Sequence, residues 1–180
     1  RIDGEKEGVS AALAAALPIQ IIDPDVHELV AGPPDQRRRY LDWIAFHVEH
    51  RYLDAWRRFR RALKQRNAAL RSGASGQALE GWNAEFAELA ARVDAGRRGA
   101  LEIASDVLGE AGAELLGSEV GFEYRAGWNE EQGLLAALQD SLERDRQHGN
   151  TQYGPHRADL KLSYDERRAR KLVSRGQQKL

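Results

Sequence analysis

The sequence predicts an α+β chain that is mostly α, and two observations carry the prediction. Apolar residues recur at three- and four-residue steps over long stretches: Tyr52, Trp56, Phe59, Leu63 and Leu70, then Trp82, Phe86, Leu89, Val93, Ala100 and Leu101, then Leu134, Leu135, Leu138 and Leu142. That spacing lays one apolar stripe along a helix. Runs of strand type are short and stand outside the stripes, at 19–22, 120–128 and 159–164. Charge is segregated along the chain. Residues 35–71 carry eleven Lys/Arg against four Asp/Glu and 151–180 carry eight against three, whereas 72–150 carry six against fifteen and 1–34 two against six. Two basic blocks around an acidic one suggest local contact with a polyanion.

Taken in order, the chain opens with the turn dipeptide Asp3-Gly4 and an alanine-rich segment of helical period over 9–17, ended by Pro18. The β-branched run at 19–22 is read as a buried strand, and Asp23-Pro24-Asp25 as the cap of a short helix through Val30. Gly32-Pro33-Pro34 breaks the chain. Asp35 then starts a helix whose first turns hold Arg37, Arg38 and Arg39. Cations at a helix N-terminus oppose its dipole and call for a compensating partner. Either nearby acids (Asp23, Asp25, Glu28) pair with them or they face phosphate, and pairing is the favoured reading.

Over 51–71 the stripe is flanked by Arg57, Arg58, Arg60, Arg61 and Lys64, with Asp54 the one acid between 51 and 71. This is either a solvated face snorkelling over its core stripe or a row of phosphate contacts. Gly73 and Gly76 mark a turn into a second long helix that ends near 109–117, and the two stripes pack as an antiparallel hairpin. A strand or extended segment at 120–128 and a third helix closing at Gly149 follow. The result is a helical arm that leaves a second body near residue 30 and returns near 150. Asp159–Tyr164 alternates as a half-buried strand, and Gly154-Pro155-His156-Arg157 before it reads as a structural joint, with DNA or nucleotide contact as the alternative.

Composition narrows the function classes. The 180 residues, 42% apolar and 31% charged, suffice for about one to one and a half domains. No cysteine is present, so disulfides and Cys-ligated zinc are excluded. No apolar run approaches the roughly 20 residues that span a bilayer, and no signal peptide opens the chain, so the cytoplasm is the default compartment. With no methionine, an opening on Arg1 and a stop at Leu180, the chain is expected to be an internal piece of a longer protein. His47 and His50 flank Glu49 without a third ligand, and no metal site is expected. No serine stands in a nucleophile elbow, and the chain holds no complete catalytic set.

The last thirty residues concentrate the motifs. In Ser174-Arg175-Gly176-Gln177-Gln178, Ser174 can cap a helix, Gly176 lets a ligand approach the backbone, and Gln177 adds an amide. Free N–H groups and the helix dipole would then receive an anion, most often a phosphate; by spacing alone an ordinary helix cap serves as well. The order G-x-P-x-x-R-R-x-x-L-D (Gly32 to Asp42), Gln65-Arg66-Asn67, Gly154-Pro155-His156-Arg157 and S-x-G-Q (Ser174 to Gln177) resembles the bacterial RecF recombination mediators. The resemblance is closest over 18–71 and 151–180 and weak across 72–150. Ala158, where members often carry an acid, and Arg175 inside the last motif depart from the pattern.

The resemblance implies a helical lever-arm subdomain inserted in an ABC-type, SMC-like ATPase lobe, with 1–31 and 151–180 as pieces of the lobe and 32–150 as the arm. It implies ATP with Mg2+ in the parent, whose phosphate-cradling loop would lie ahead of this chain and whose metal-binding and catalytic acids would lie behind it. Ser174, Gly176 and Gln177 would be the ABC signature, closing in trans on the ATP of a second copy, and Gln20 stands about where a Q-loop would be, a strand-edge glutamine being the equal alternative. The parent would be a weak DNA-dependent ATPase, cytoplasmic and nucleoid-associated. It would dimerise with ATP, bind single- and double-stranded DNA at gap junctions, and act with RecO and RecR in RecA loading and SOS induction; the piece alone would neither bind ATP tightly nor hydrolyse it. A helical protein-interaction module and another SMC-like ATPase are the competing readings. The first explains the arm but not the order of the motifs.

Overall fold

The computed structural model describes residues 28–164 and 167–168. Their elements are α1 (Glu28–Ala31), α2 (Pro34–Val48), α3 (Tyr52–Arg71), α4 (Gly76–Leu116), β1 (Val120–Arg125), α5 (Leu134–Asp140), α6 (Leu142–His148), a 3-10 turn (Pro155–Arg157), β2 (Asp159–Tyr164) and β3 (Arg167–Arg168). Mostly helical, with one small sheet, this matches the α+β expectation. No described helix is long and apolar enough to cross a membrane.

Each long helix has a local reason to start and stop. Proline at the first position and Asp35 in the first turn open α2, where a missing N–H costs nothing and a carboxylate meets the positive end of the dipole. Ser75 caps α4, its hydroxyl accepting from the Ala78 N–H at 3.2 Å. Gly117, at φ 71°, ends the same helix in the left-handed conformation that glycine adopts without penalty.

Helices α3 and α4 are an antiparallel hairpin. Tyr52 lies against Gly96, the Phe59 ring centroid is 5.3 Å from that of Phe86, and Arg66 meets Asn83, so positions rise on one helix as they fall on the other. The core runs along this seam: Tyr52, Phe59, Ala62, Phe86, Leu89, Ala90, Val93 and Ala100, extended by Ala45 from α2 and by Leu134 and Leu138 from α5. The expected third helix is split at Ser141, whose φ of −88° and ψ of 0° separate α5 from α6.

The sheet has the order β1-β2-β3, with both pairings antiparallel. Phe122 faces Leu162 and Tyr124 faces Leu160, so the apolar residues of the two strands pair across the ladder. Between helices and sheet runs the segment 149–158. It crosses Gly127 closely: the Gly154 N–H donates to the Gly127 carbonyl at 3.2 Å, and a Cβ on Gly127 (φ 93°) would lie 2.5 Å from the Gly154 oxygen. No side chain larger than hydrogen fits there.

Candidate nucleic-acid interface

Helix α3 carries two kinds of cation. Arg57, Arg58, Arg60, Arg61 and Lys64 are all exposed, and none of them forms an ion pair among the described residues. Arg57, Arg61 and Lys64 fall in one line at helical spacing, about 6 Å apart between the two arginines along the axis. Arg60 lies over the Trp56 ring at 4.9 Å and shields the edge of the apolar stripe. Five cations on two turns, none of them in an ion pair among the described residues, form a donor row suited to phosphate oxygens.

Arg66, on the opposite side of the same helix, is fully buried. Its Nη1 donates to Asp145 Oδ2 at 2.7 Å and to the Thr151 hydroxyl at 2.8 Å, and its Nε donates to Asn83 Oδ1 at 3.0 Å. Both members of the Arg66–Asp145 pair have side chains 0% exposed. Nη2 has no hydrogen-bond partner, but the guanidinium stands 5.9 Å from the Phe86 ring centroid. Asn67 completes the group by accepting from the Thr151 N–H at 2.8 Å and its hydroxyl at 2.7 Å. The stretch Gln65-Arg66-Asn67 is therefore a clamp on residue 151, apart from its exposed Gln65.

A second buried group joins three helices. Asp42 accepts from the Tyr52 hydroxyl, from Trp56 Nε1 at 3.1 Å and from Arg97 Nε at 2.8 Å, while Arg97 Nη1 donates to the Pro155 carbonyl at 2.6 Å. Burial alone would lower the Arg97 pKa, but the Asp42 carboxylate outweighs it and the pKa lies above the usual value. Burial also pushes the Tyr52 phenol up.

The arginines at the start of α2 have partners, and of the expected acids the one described, Glu28, is not among them. Arg37 Nε donates to Asp159 Oδ1 at 2.7 Å, and its Nη1 donates to the carbonyls of Gly32 at 2.8 Å and Leu29 at 3.3 Å. Arg38 Nη1 donates to the Ala158 carbonyl at 2.8 Å, and Arg39 reaches Asp35 at 3.6 Å on the surface. Glu28 accepts from Gln36 instead, at 3.5 Å. Asp23 and Asp25 lie outside the described residues. The counter-charge of Arg37 thus comes from Asp159 of β2, which packs beside α2, while that of Arg39 comes from Asp35 on its own helix.

All three groups converge on 151–159, the stretch that holds Gly154, Pro155, His156 and Arg157. Pro155 is buried and lends its carbonyl to Arg97. The His156 Nε2 donates to the Thr151 carbonyl at 2.9 Å, which leaves Nδ1 as the bare nitrogen of a neutral ring, buried and without a partner. Burial, against the help of that carbonyl, lowers the His156 pKa to about 4. Arg157 stays exposed and reaches Asn150 Oδ1 at 3.2 Å. His47 turns its Nδ1 to the Trp43 carbonyl at 2.8 Å, and no cluster of three potential metal ligands occurs among the described residues.

Gln20, Ser174, Gly176 and Gln177 lie outside the described residues. Sequence reasoning missed Arg97, Asp145 and Thr151, and held Asp42 only as the end of the first motif. Arg97 and Asp145 are charged residues at stripe positions, a signal that is weak by itself.

No protein-family model matches the chain. Among curated relatives, the DNA replication and repair protein RecF of Pseudomonas aeruginosa (strain LESB58) is 42% identical over 182 residues, covering 100% of this chain and 49% of that protein. RecF of Chromohalobacter salexigens is 43% identical over 182 residues, covering 100% of this chain and 50% of that protein. The chain therefore spans about half the length of the curated relatives it matches. The solved structure of the recombination mediator protein RecF-ATP in the RecFOR pathway superposes with a TM-score of 0.80 at 25% identity, over 87% of this chain and 46% of that one. The RecF-ATPrS structure gives a TM-score of 0.81 with the same identity and coverage. Matched from end to end in sequence and over most of its length in fold, the chain is similar to RecF proteins across about half of their length.

Proposed function

We propose that the chain is the arm-bearing part of a RecF-type ATPase of DNA replication and repair, and that the exposed cations of α3 are its contact with the DNA backbone. The observation that carries this reading is the contrast within α3. The buried cation is ion-paired with Asp145 and also donates to Thr151 and Asn83, whereas Arg57, Arg58, Arg61 and Lys64 have no ion pair among the described residues. Residues 32–150 form the arm, with 1–31 and 151–180 as pieces of the ATPase lobe. The pairing of β1 with β2 ties the returning end of the arm to the second lobe piece. Gly154, Pro155, His156 and Arg157 are the joint, a role supported by the arginine groups that close on them.

In the whole protein, ATP with Mg2+ would be held by one subunit while Ser174, Gly176 and Gln177 of its partner close on the γ-phosphate, with Gln20 near the metal. Closure would bring two arms over single- or double-stranded DNA at a gap junction. Work with RecO and RecR in loading RecA and inducing SOS, weak DNA-dependent ATP hydrolysis and a nucleoid location follow from the same reading.

Charge reversal of Arg57 and Arg61 in the full-length protein tests the interface. Affinity should fall alike for all sequences, and the slope of log affinity against log salt should drop by ~0.9 for each duplex phosphate no longer neutralised. Unchanged affinity and slope would reduce the row to solvated surface. Changing Ser174 to Arg tests the signature separately: ATP binding should survive while ATP-dependent dimerisation and hydrolysis disappear. Normal dimerisation would make the motif a helix cap only.

A further inference from the structure

The C-terminal part of α4 carries two adjacent rows on one face. Glu102, Asp106, Glu110 and Glu114 recur every four residues, and Ile103, Val107, Ala111 and Leu115 stand one position after each. All eight are exposed. The three large aliphatics are 61%, 67% and 56% exposed, and the row runs about 18 Å along the axis. Isolated exposed aliphatics are ordinary; three aligned on one helix are a face shaped for cover.

The other side of this helix end is already occupied. Val120 packs on Gly112 so closely that a Cβ there would lie 2.5 Å from it, and the Tyr164 hydroxyl donates to the Leu116 carbonyl at 2.9 Å. Residues 101–116 contain no Lys or Arg, and none of the four acids forms an ion pair among the described residues. The face therefore asks for aliphatic side chains beside a row of cations, and the acids exclude a nucleic acid from it.

We propose that this double row seats a further segment of the same polypeptide, one that presents an apolar row flanked by Lys or Arg. The curated relatives are about twice as long as this chain, so a RecF-type protein has polypeptide to supply such a segment. The complementary charge sets its register: the apolar rows exclude water while the cations line up on acids spaced one helical turn apart. The inference rests on the chain's place within a longer RecF-type protein, but not on the DNA contact of α3.

The test uses the full-length protein free of ATP and DNA, with other cysteines replaced. Val107→Cys and, as an exposed control at the far end of the same helix, Glu80→Cys are labelled with a maleimide at submicromolar concentration and read by mass. A thiol at position 107 protected by a docked segment reacts only on local opening, so labelling at least about tenfold slower than at position 80 is expected. Equal rates would overturn the proposal. So would protection that appears only as concentration rises, which would make the cover a second copy. Adding Asp106→Lys and Glu110→Lys to the Val107→Cys variant should raise its labelling toward the control, and a rate unmoved by that reversal would overturn the cationic segment. DNA affinity does not enter the readout, so this experiment and the Arg57/Arg61 reversal fail independently.

Discussion

The two sides of α3 put one residue type to opposite uses. Inward, Arg66 is sealed from solvent and spends its donors on Asp145, Thr151 and Asn83. Outward, Arg57 and Arg61 stand in solvent with no acid committed to them among the described residues. A buried guanidinium is tolerable only with a carboxylate and further acceptors around it, so the inward arginine belongs to the fold. The outward ones add little to stability and are free for an external anion. Counting charge along a sequence cannot separate these cases; locating the counter-charge can.

The largest effect should come from breaking the inward side. Arg66→Met leaves Asp145 buried and unpaired, and urea unfolding should show a loss of about 3–5 kcal/mol. Adding Asp145→Leu should recover much of it, because the pair's desolvation is removed along with its attraction. A single-variant loss under about 1 kcal/mol would mean that water reaches the pair.

Next comes the histidine beside that group. Its folded pKa of about 4 lies below the unfolded value of about 6.5, so the unfolded chain binds more protons between them. Stability should therefore be full above pH ~6.5, fall as pH drops toward ~4 and level off below, with a contribution of about 3 kcal/mol. Replacing His156 by Gln should flatten that part of the stability–pH curve relative to the parent; identical slopes would show that His156 is hydrated.

A smaller effect is expected at the hairpin seam. A Cβ on Gly96 would lie 2.5 Å from the Tyr52 ring, whose hydroxyl is held by Asp42, so Gly96→Ala should cost about 1–3 kcal/mol in thermal or urea unfolding. A neutral result would mean that the ring swings aside despite its hydrogen bond. Smallest of all, Arg57→Ala with Arg61→Ala should leave stability within about 0.5 kcal/mol. A larger loss would place those arginines in the fold and erase the contrast between the two faces.

The long helices were legible because their stripes hold the helical period. Tyr52, Phe59 and Leu70 are buried as that stripe demands, and Phe86, Leu89 and Val93 answer them from α4. The break at Ser141 was not legible, since Leu138 and Leu142 keep the period across it. Neither were the partners of the buried arginines. Arg66 and Asp145 are 79 positions apart and Arg37 and Asp159 are 122, so only the folded chain brings them together. The exposed cations of α3 could be read directly, because exposure follows from the stripe they flank. Gln20 and the motif from Ser174 to Gln177 were legible as a pattern only, and lie outside the described residues.

The long reach of these ion pairs has a consequence on the ribosome. Arg37 and Arg66 are made well before Asp159 and Asp145, at about 5–20 residues per second, so each guanidinium waits from roughly 4 to 24 seconds for its carboxylate. During that interval the α3–α4 hairpin holds a cation at its seam with no counter-ion. Nascent chains stalled with residue 140 just outside the exit tunnel should therefore be cut by protease much faster than chains stalled with residue 165 outside. Equal cutting would show that the hairpin closes without its late partners. Synthesis order thus makes 151–159 the last-arriving latch on helices that are translated before it.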